Sequence, residues 1–330
     1  MRCPRPDVLL AGVVVCLAVA AAGKPQGGGR QDAPREDRFG EVQTRQMPLR
    51  AAAHGVCLLL YGPQTGAPAA APEPNARLLE LAWKDNFLTI RGPRIPGGAL
   101  RVQYLEAYCR PGSTDRDWGE TVIKHRTELV RAAEDGSRLE LECRLADGVR
   151  VRHQITAGSD EVDFRLVATN PTQRASQAHW AQPCIRVDTF TGMGREEYIP
   201  QCFVFLEGRL TRLPTRPWAT KARYVPGQVY RAPGVGADDV NPRPISELVC
   251  SSGLCGCFSA DDTMIMATAW EPYQELFQGV ATCLHSDFRI GGLAPGATKE
   301  IRGKIYVVPA DVAALVERYE RDFPEHVRGK

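Results

Sequence analysis

The chain has 330 residues, with 41 Lys and Arg against 39 Asp and Glu, a net charge of +2. Residues 75–330 hold 33 basic and 33 acidic side chains, so the charged grip that nucleic-acid binding requires is not expected. A hydrophobic share of 43% with 24% charged residues excludes a disordered chain, and the 56 Gly and Pro residues favour many short strands over a helical bundle.

Residues 1–23 read as a secretory signal. Arg2 and Arg5 precede an uncharged run from Val8 to Gly23, and Ala18, Ala20, Ala21 and Ala22 offer a small-residue cleavage point. That run is about 16 residues, short for a membrane span of about 20. Residues 24–74 read as a linker carrying Gly27-Gly28-Gly29. Within it, residues 47–71 repeat the signal design: Met47-Pro48-Leu49-Arg50, then Ala51 to Tyr61, then Ala69-Ala70-Ala71. The same stretch also reads as a buried strand followed by a linker. Met1 and Met47 are both open as the start. Either way the expected product is secreted, periplasmic or at the cell envelope, with one folded domain over residues 75–330 and no membrane span left after signal removal.

From Phe87 onward the apolar residues recur with period two. Phe87 to Arg91 and Leu100 to Tyr104 are short strands. Leu139, Leu141, Cys143 and Leu145 alternate with polar residues and stop at Ala146-Asp147-Gly148. Val149, Val151, His153 and Ile155 follow, then Val162, Phe164, Leu166 and Ala168 up to Asn170-Pro171. One apolar and one wet face, broken by Asp-Gly and Gly-Ser-Asp turns, predicts an antiparallel meander. Cys202 to Leu206, Cys257 to Ser259, Met264 to Trp270 and Ile301 to Val308 continue the style. Thr215 to Pro244 carries Pro217, Pro226, Pro233, Pro242 and Pro244 and predicts a long irregular loop, the usual roof of a site. Asp311 caps a helix whose Val312, Leu315, Val316, Tyr319 and Phe323 share one stripe. The expected fold is all-β: a large antiparallel β-sandwich with one C-terminal helix.

Eight cysteines fall in the domain: Cys109, Cys143, Cys184, Cys202, Cys250, Cys255, Cys257 and Cys283. Disulfides and free buried thiols are both open, and the pairing cannot be deduced from sequence. Cys250, Cys255 and Cys257 lack a second ligand pair at zinc spacing. Asp115 and Asp117 lack the further ligands calcium needs. No metal and no cofactor are expected, and no nucleotide-binding, nucleophile-elbow or metalloprotease motif occurs.

Three stretches bring ionisable and aromatic residues together: Tyr108 to His125, Ala178 to Pro183 around His179-Trp180, and Ala269 to Tyr273 around Trp270-Glu271. Aromatic faces beside charged groups are what a sugar site uses. The competing reading makes Trp180 and Trp270 core residues, His179 a structural histidine and Glu271 a strand-end ion pair.

Val167-Ala168-Thr169-Asn170-Pro171-Thr172 followed by His179-Trp180 resembles the aldose 1-epimerase (galactose mutarotase) superfamily. Glu271-Pro272, followed by Leu293-Ala294-Pro295-Gly296 and a long final strand, is similar to that family's closing pattern. The resemblance implies a β-supersandwich, with His179 as general acid and Glu271 as general base of a cofactor-free anomer interconversion. Trp180, Trp270, His125 and Arg186 join them as expected sugar contacts. The chain departs from the pattern in Trp180-Ala181-Gln182-Pro183 after His179, and the family's early Arg/Asn-rich motif is missing. Three functions stay open: a sugar-active enzyme, a carbohydrate-binding or cell-envelope module without catalysis, and a structural protein.

Overall fold

A computed structural model describes residues 79–194, 197–215, 227–279 and 282–327. The signal-like segments 1–23 and 47–71 lie outside these residues. The strands are β1 (Glu80–Lys84), β2 (Phe87–Arg91), β3 (Ala99–Cys109), β4 (Val122–Ile123), β5 (His125–Ala132), β6 (Arg138–Leu145), β7 (Arg150–Ala157), β8 (Glu161–Thr169) and β9 (Trp180–Arg186). They continue with β10 (Cys202–Leu206), β11 (Arg209–Arg212), β12 (Gln228–Arg231), β13 (Cys255–Phe258), β14 (Met264–Glu271), β15 (Tyr273–Gln278), β16 (Cys283–Arg289) and β17 (Thr298–Pro309). Helices α1 (Trp118–Thr121) and α2 (Asp188–Thr191) are single turns, and α3 (Val312–Asp322) is the C-terminal helix.

Two antiparallel sheets hold all seventeen strands. One runs β1-β2-β3-β9-β16-β15-β12, with β4 attached to β3. The other runs β11-β10-β13-β14-β17-β8-β7-β6-β5. The expected meander is β6, β7 and β8, in register from Arg138↔Thr156 to Ala157↔Val162. Its alternation follows from a half-buried sheet: Leu139, Leu141 and Cys143 are buried, whereas Arg138 and Arg144 are exposed. The apolar faces of both sheets meet in one core. Leu100, Val102, Tyr108, Ala181, Ile185, Leu284 and Phe288 come from the first sheet, and Leu141, Val151, Phe164, Leu166, Trp270, Ile301 and Ile305 from the second. Burial of this apolar surface is the main favourable term in folding.

On its other face the second sheet is covered by α3. Asp311 caps this helix, its Oδ1 accepting from Ala314 N at 3.0 Å. Leu315, Tyr319 and Phe323 pack on Phe205, Ile265, Tyr306 and Val308. Arg318 clamps Asp160 with two hydrogen bonds of 2.9 and 2.8 Å, tying the helix to the β7–β8 turn. No helix among the described residues is long and apolar enough to cross a membrane. The segment after Thr215 is not wholly irregular: Gln228–Arg231 forms the edge strand β12 on β15.

One core residue makes stability depend on pH. His153 is fully buried between Tyr104 and Tyr108, whose hydroxyls lie 2.8 Å from Nδ1 and 3.3 Å from Nε2. Burial, with a smaller push from His125, lowers its pKa to about 3. The neutral ring is therefore favoured in the fold, while the unfolded chain still takes up a proton near its ordinary value. Stability should be full above about pH 6.5 and fall by about 1.4 kcal/mol per pH unit below it, toward pH 3. Urea unfolding midpoints from pH 7 to 4 test this. His153→Gln should be less stable at pH 7 and show a shallower acid slope. An unchanged slope would mean that His153 is not the group responsible.

Candidate functional site

The candidate surface is built by strand register. In β9, Gln182, Cys184 and Arg186 alternate with Ala181 and Ile185, which face the core. In β16, Cys283, His285, Asp287 and Arg289 alternate with Leu284 and Phe288, which face the core. The pairs Leu284↔Ile185 and Phe288↔Ala181 share one register, which sets His285 opposite Cys184 and Asp287 opposite Gln182. On the other flank, Glu275 pairs with Asp287 and Phe277 with His285. Chemistry-bearing side chains thus line up in rows on the face turned away from the second sheet.

That face is not open to solvent. His285, Asp287 and Glu275 each have 0% exposure. Asn241 closes over the row: its N–H donates to Glu275 Oε2 at 2.9 Å and its Nδ2 donates to Gln182 Oε1 at 3.2 Å. What remains is a cavity of about 410 Å³, lined by polar groups from Glu106, Gln182, Arg186, Asn241, Arg243 and His285. Trp118 and Phe277 give it two aromatic walls, and Cys184 and Cys283 lie against it. The polar groups are held in place. Gln182 Nε2 donates to Glu106 Oε2 at 2.8 Å, and Arg186 donates to Gln103 Oε1 at 3.0 Å. Burial, reinforced by the charge of Asp287, raises the Glu275 carboxyl well above its ordinary value. Burial likewise pushes Asp287 up to about 6, against the opposing pull of His285.

The structure does not bring the expected site residues together. Arg186 lines the cavity. Trp180 is fully buried one layer behind it, Nε1 donating to Ser113 Oγ at 3.3 Å, its ring 6.4 Å from that of Trp118. Trp180 supports an aromatic wall but offers no face to a ligand. Trp270 is a core residue, 2% exposed, packed 5.2 Å from Phe164 and 4.9 Å from Phe288. Its ring lies over Gly303, where an added Cβ would come within 2.3 Å of it, so it too is closed to a sugar. His125 stands edge-on to Tyr108, at 5.0 Å, with Nε2 3.2 Å from Leu105 O, and does not line the cavity.

His179 and Glu271 are engaged separately. His179 is half-buried, with Nδ1 3.4 Å from Asp239 Oδ2. Arg289 donates to the same carboxylate oxygen at 3.2 Å, and Gly112 N to the other at 3.1 Å. Burial raises the Asp239 carboxyl, but His179 and Arg289 outweigh it and hold the group below its usual value. The Glu271 carboxylate instead receives His326 Nε2 at 2.7 Å, from the turn after α3. It borders a separate groove with Arg165, Glu300 and Arg302 on the second sheet. The expected roof is present in part: of Thr215 to Pro244, residues 241–243 border the cavity, and Asp239 anchors this stretch through His179 and Arg289.

All eight described cysteines carry free, buried thiols. Among the described residues the cluster with metal-ligand spacing is Cys184, Cys283 and His285, not Cys250, Cys255 and Cys257 and not Asp115 and Asp117. The available sequence signal was Cys283-x-His285-x-Asp287, three ionisable residues at period two.

No family model and no curated protein matches the sequence. Among solved structures, a galactose mutarotase-like protein from Lactobacillus casei is 8% identical with a TM-score of 0.39, over 69% of this chain and 99% of that one. A galactose mutarotase related enzyme from Lactobacillus acidophilus is 6% identical at 0.38, over 69% and 97%. A galactose 1-epimerase from the same organism is 6% identical at 0.36, over 71% and 98%. Similarity of this degree assigns no chemistry to the chain.

Removing the buried Asp239 carboxylate leaves Arg289 and the His179 ring without their shared acceptor. Asp239→Ala should cost about 1–3 kcal/mol after allowance for solvent screening. Asp239→Asn should cost less, and its deficit should shrink only below the ordinary carboxylate value of 3.8, as the wild-type carboxyl is neutralised through its lowered value. Thermal melts at pH 7 and about pH 3 measure both. Equal deficits at the two pH values would contradict the ion-pair account.

Proposed function

We propose that the chain is a carbohydrate-binding protein whose site is the cavity on the outer face of the eight-stranded sheet. The observation that carries this reading is the lining: Trp118 and Phe277 as apolar walls, with Glu106, Gln182, Arg186, Asn241 and Arg243 as fixed hydrogen-bonding groups. Planar amide, guanidinium and carboxylate groups match the paired hydroxyls of a sugar ring, and aromatic faces match its C–H surface. The volume lies within the roughly 300–1,000 Å³ of ordinary small-ligand pockets. Export to the cell envelope or beyond belongs to the same proposal and is supported by the two signal-like segments.

Binding is favoured over anomer interconversion. An acid and a base must both reach the protons they move, whereas His179 and Glu271 are each held by another partner and neither lines this cavity. Calorimetric titration with common mono- and disaccharides should therefore detect binding, weakened about tenfold or more by Arg186→Ala or Trp118→Ala. Polarimetry of the same aldoses should show no acceleration over buffer. Acceleration that Glu271→Gln abolishes would overturn this choice in favour of an epimerase. Binding unaffected by the Arg186 and Trp118 variants would move the site elsewhere.

A further inference from the structure

The floor of the cavity carries a second chemistry, which does not depend on the carbohydrate reading. Cys184 comes from β9, and Cys283 and His285 from the neighbouring β16, all on one sheet face. One ligand atom from each residue lies within 4.8 Å of the other two. All three residues are buried, and all three border the cavity. Two thiols and an imidazole form a donor set that suits zinc. Tetrahedral zinc, with bonds of about 2.3 Å to sulfur and about 2.0 Å to nitrogen, holds such donors roughly 3.5–3.8 Å apart. Small side-chain adjustments reach that spacing.

A separate observation points to the same place. Both ring nitrogens of His285 and both carboxylate oxygens of Asp287 are buried without a hydrogen-bond partner. Asp287 Oδ1 lies 3.5 Å from His285 Nδ1, too long for a good hydrogen bond but correctly placed to become one. Four orphaned polar atoms in two adjoining side chains are an expensive arrangement, since buried polar groups are almost always satisfied. A cation accounts for the imidazole and, through it, for the carboxylate. His285 Nε2 becomes a ligand, Nδ1–H turns to Asp287, and the carboxylate fixes the ring, the usual outer shell of a metal-bound histidine.

The geometry points to a zinc site made by Cys184 Sγ, Cys283 Sγ and His285 Nε2, with Asp287 orienting the imidazole and the fourth position open to the cavity. Three protein ligands with one open position is the arrangement of zinc sites that bind water or a ligand oxygen, not of closed structural sites. The two thiolates balance the ion's charge, so the buried cluster around Glu275 and Asp287 gains no net charge. The competing use of these cysteines is a Cys184–Cys283 disulfide, since the two are diagonal neighbours across β9 and β16. A disulfide would leave His285 Nε2 and Asp287 as orphans.

The test is metal analysis of the purified chain. After reconstitution with zinc and desalting, about one zinc per chain should remain. Cobalt in its place should give thiolate-to-metal charge-transfer bands and the intense visible bands of a four-coordinate ion. Cys184→Ser and Cys283→Ser should remove most of the charge-transfer intensity and weaken zinc binding about 100-fold or more. Asp287→Asn keeps the shape of the side chain and should weaken binding about 10- to 100-fold, with an unchanged circular dichroism spectrum. It therefore decides the matter even if a cysteine variant fails to fold. Folded protein that retains no zinc, Asp287→Asn with wild-type affinity, or a Cys184–Cys283 disulfide found by mass spectrometry would each overturn the site.

Discussion

The antiparallel pairing of β9 with β16 is the constraint on which the rest of the site depends. Because side chains alternate strictly along a strand, one register decides the fate of both faces. Leu284↔Ile185 and Phe288↔Ala181 send four apolar residues into the core between the sheets. The same register has to bring Gln182, Cys184 and Arg186 beside Cys283, His285 and Asp287 on the opposite face. A one-residue slip of β16 against β9 would turn His285 and Asp287 into the apolar core and Leu284 and Phe288 out of it. Core packing thus specifies the polar site, which needs no separate device to assemble it.

Such a face would ordinarily be wet. Here residues 232–243 and the turn at α1 cover it, and the covering is itself polar where it meets the row. Asn241 bridges Glu275 and Gln182, and Ser113 and Thr114 bond to the carbonyl of Val240. Trp118 rests on Trp180, and Val240 packs with Val229 and Phe277. Asp239, next to Val240, fastens the cover to His179 and Arg289 as well. His179 therefore serves the cavity indirectly, by holding down part of its roof. Desolvated groups left without partners inside this enclosure interact strongly with whatever enters, because little water screens them.

The meander β6 to β8 and the helix α3 were legible in the sequence for a plain reason: each has one apolar and one solvated face, so burial writes a period into the residues; β17 was legible as a β-branched and aromatic run, although α3 covers Tyr306 and Val308. Asp311 and the stripe from Val312 to Phe323 carried the helix in the same way. Strands β9, β15 and β16 did not show themselves, because both of their faces are buried and the contrast disappears. Cys283, His285 and Asp287 occupy the wet positions of an alternating pattern but are dry. Sequence shows a proline-rich loop at Thr215 to Pro244 but not that it lies over these strands. Trp180 and Trp270 invited a sugar-stacking role, yet their size serves packing, behind Trp118 in one case and over Gly303 in the other. Glu271 stood out beside Trp270, but its partner His326 lies 55 positions away, a pairing that spacing alone cannot reveal. Arg186, the one expected contact that lines the cavity, was placed there by register.

The central claim is that this enclosed row, and not the surroundings of His179 or Glu271, is where the protein meets its ligand. The most direct measurement is a crystal structure of the protein grown with a monosaccharide that it binds in solution. The account predicts ligand density between Trp118 and Phe277, in hydrogen-bonding reach of Arg186 and Asn241. Density against Glu271 in the groove of the second sheet, with the cavity holding only solvent, would contradict it.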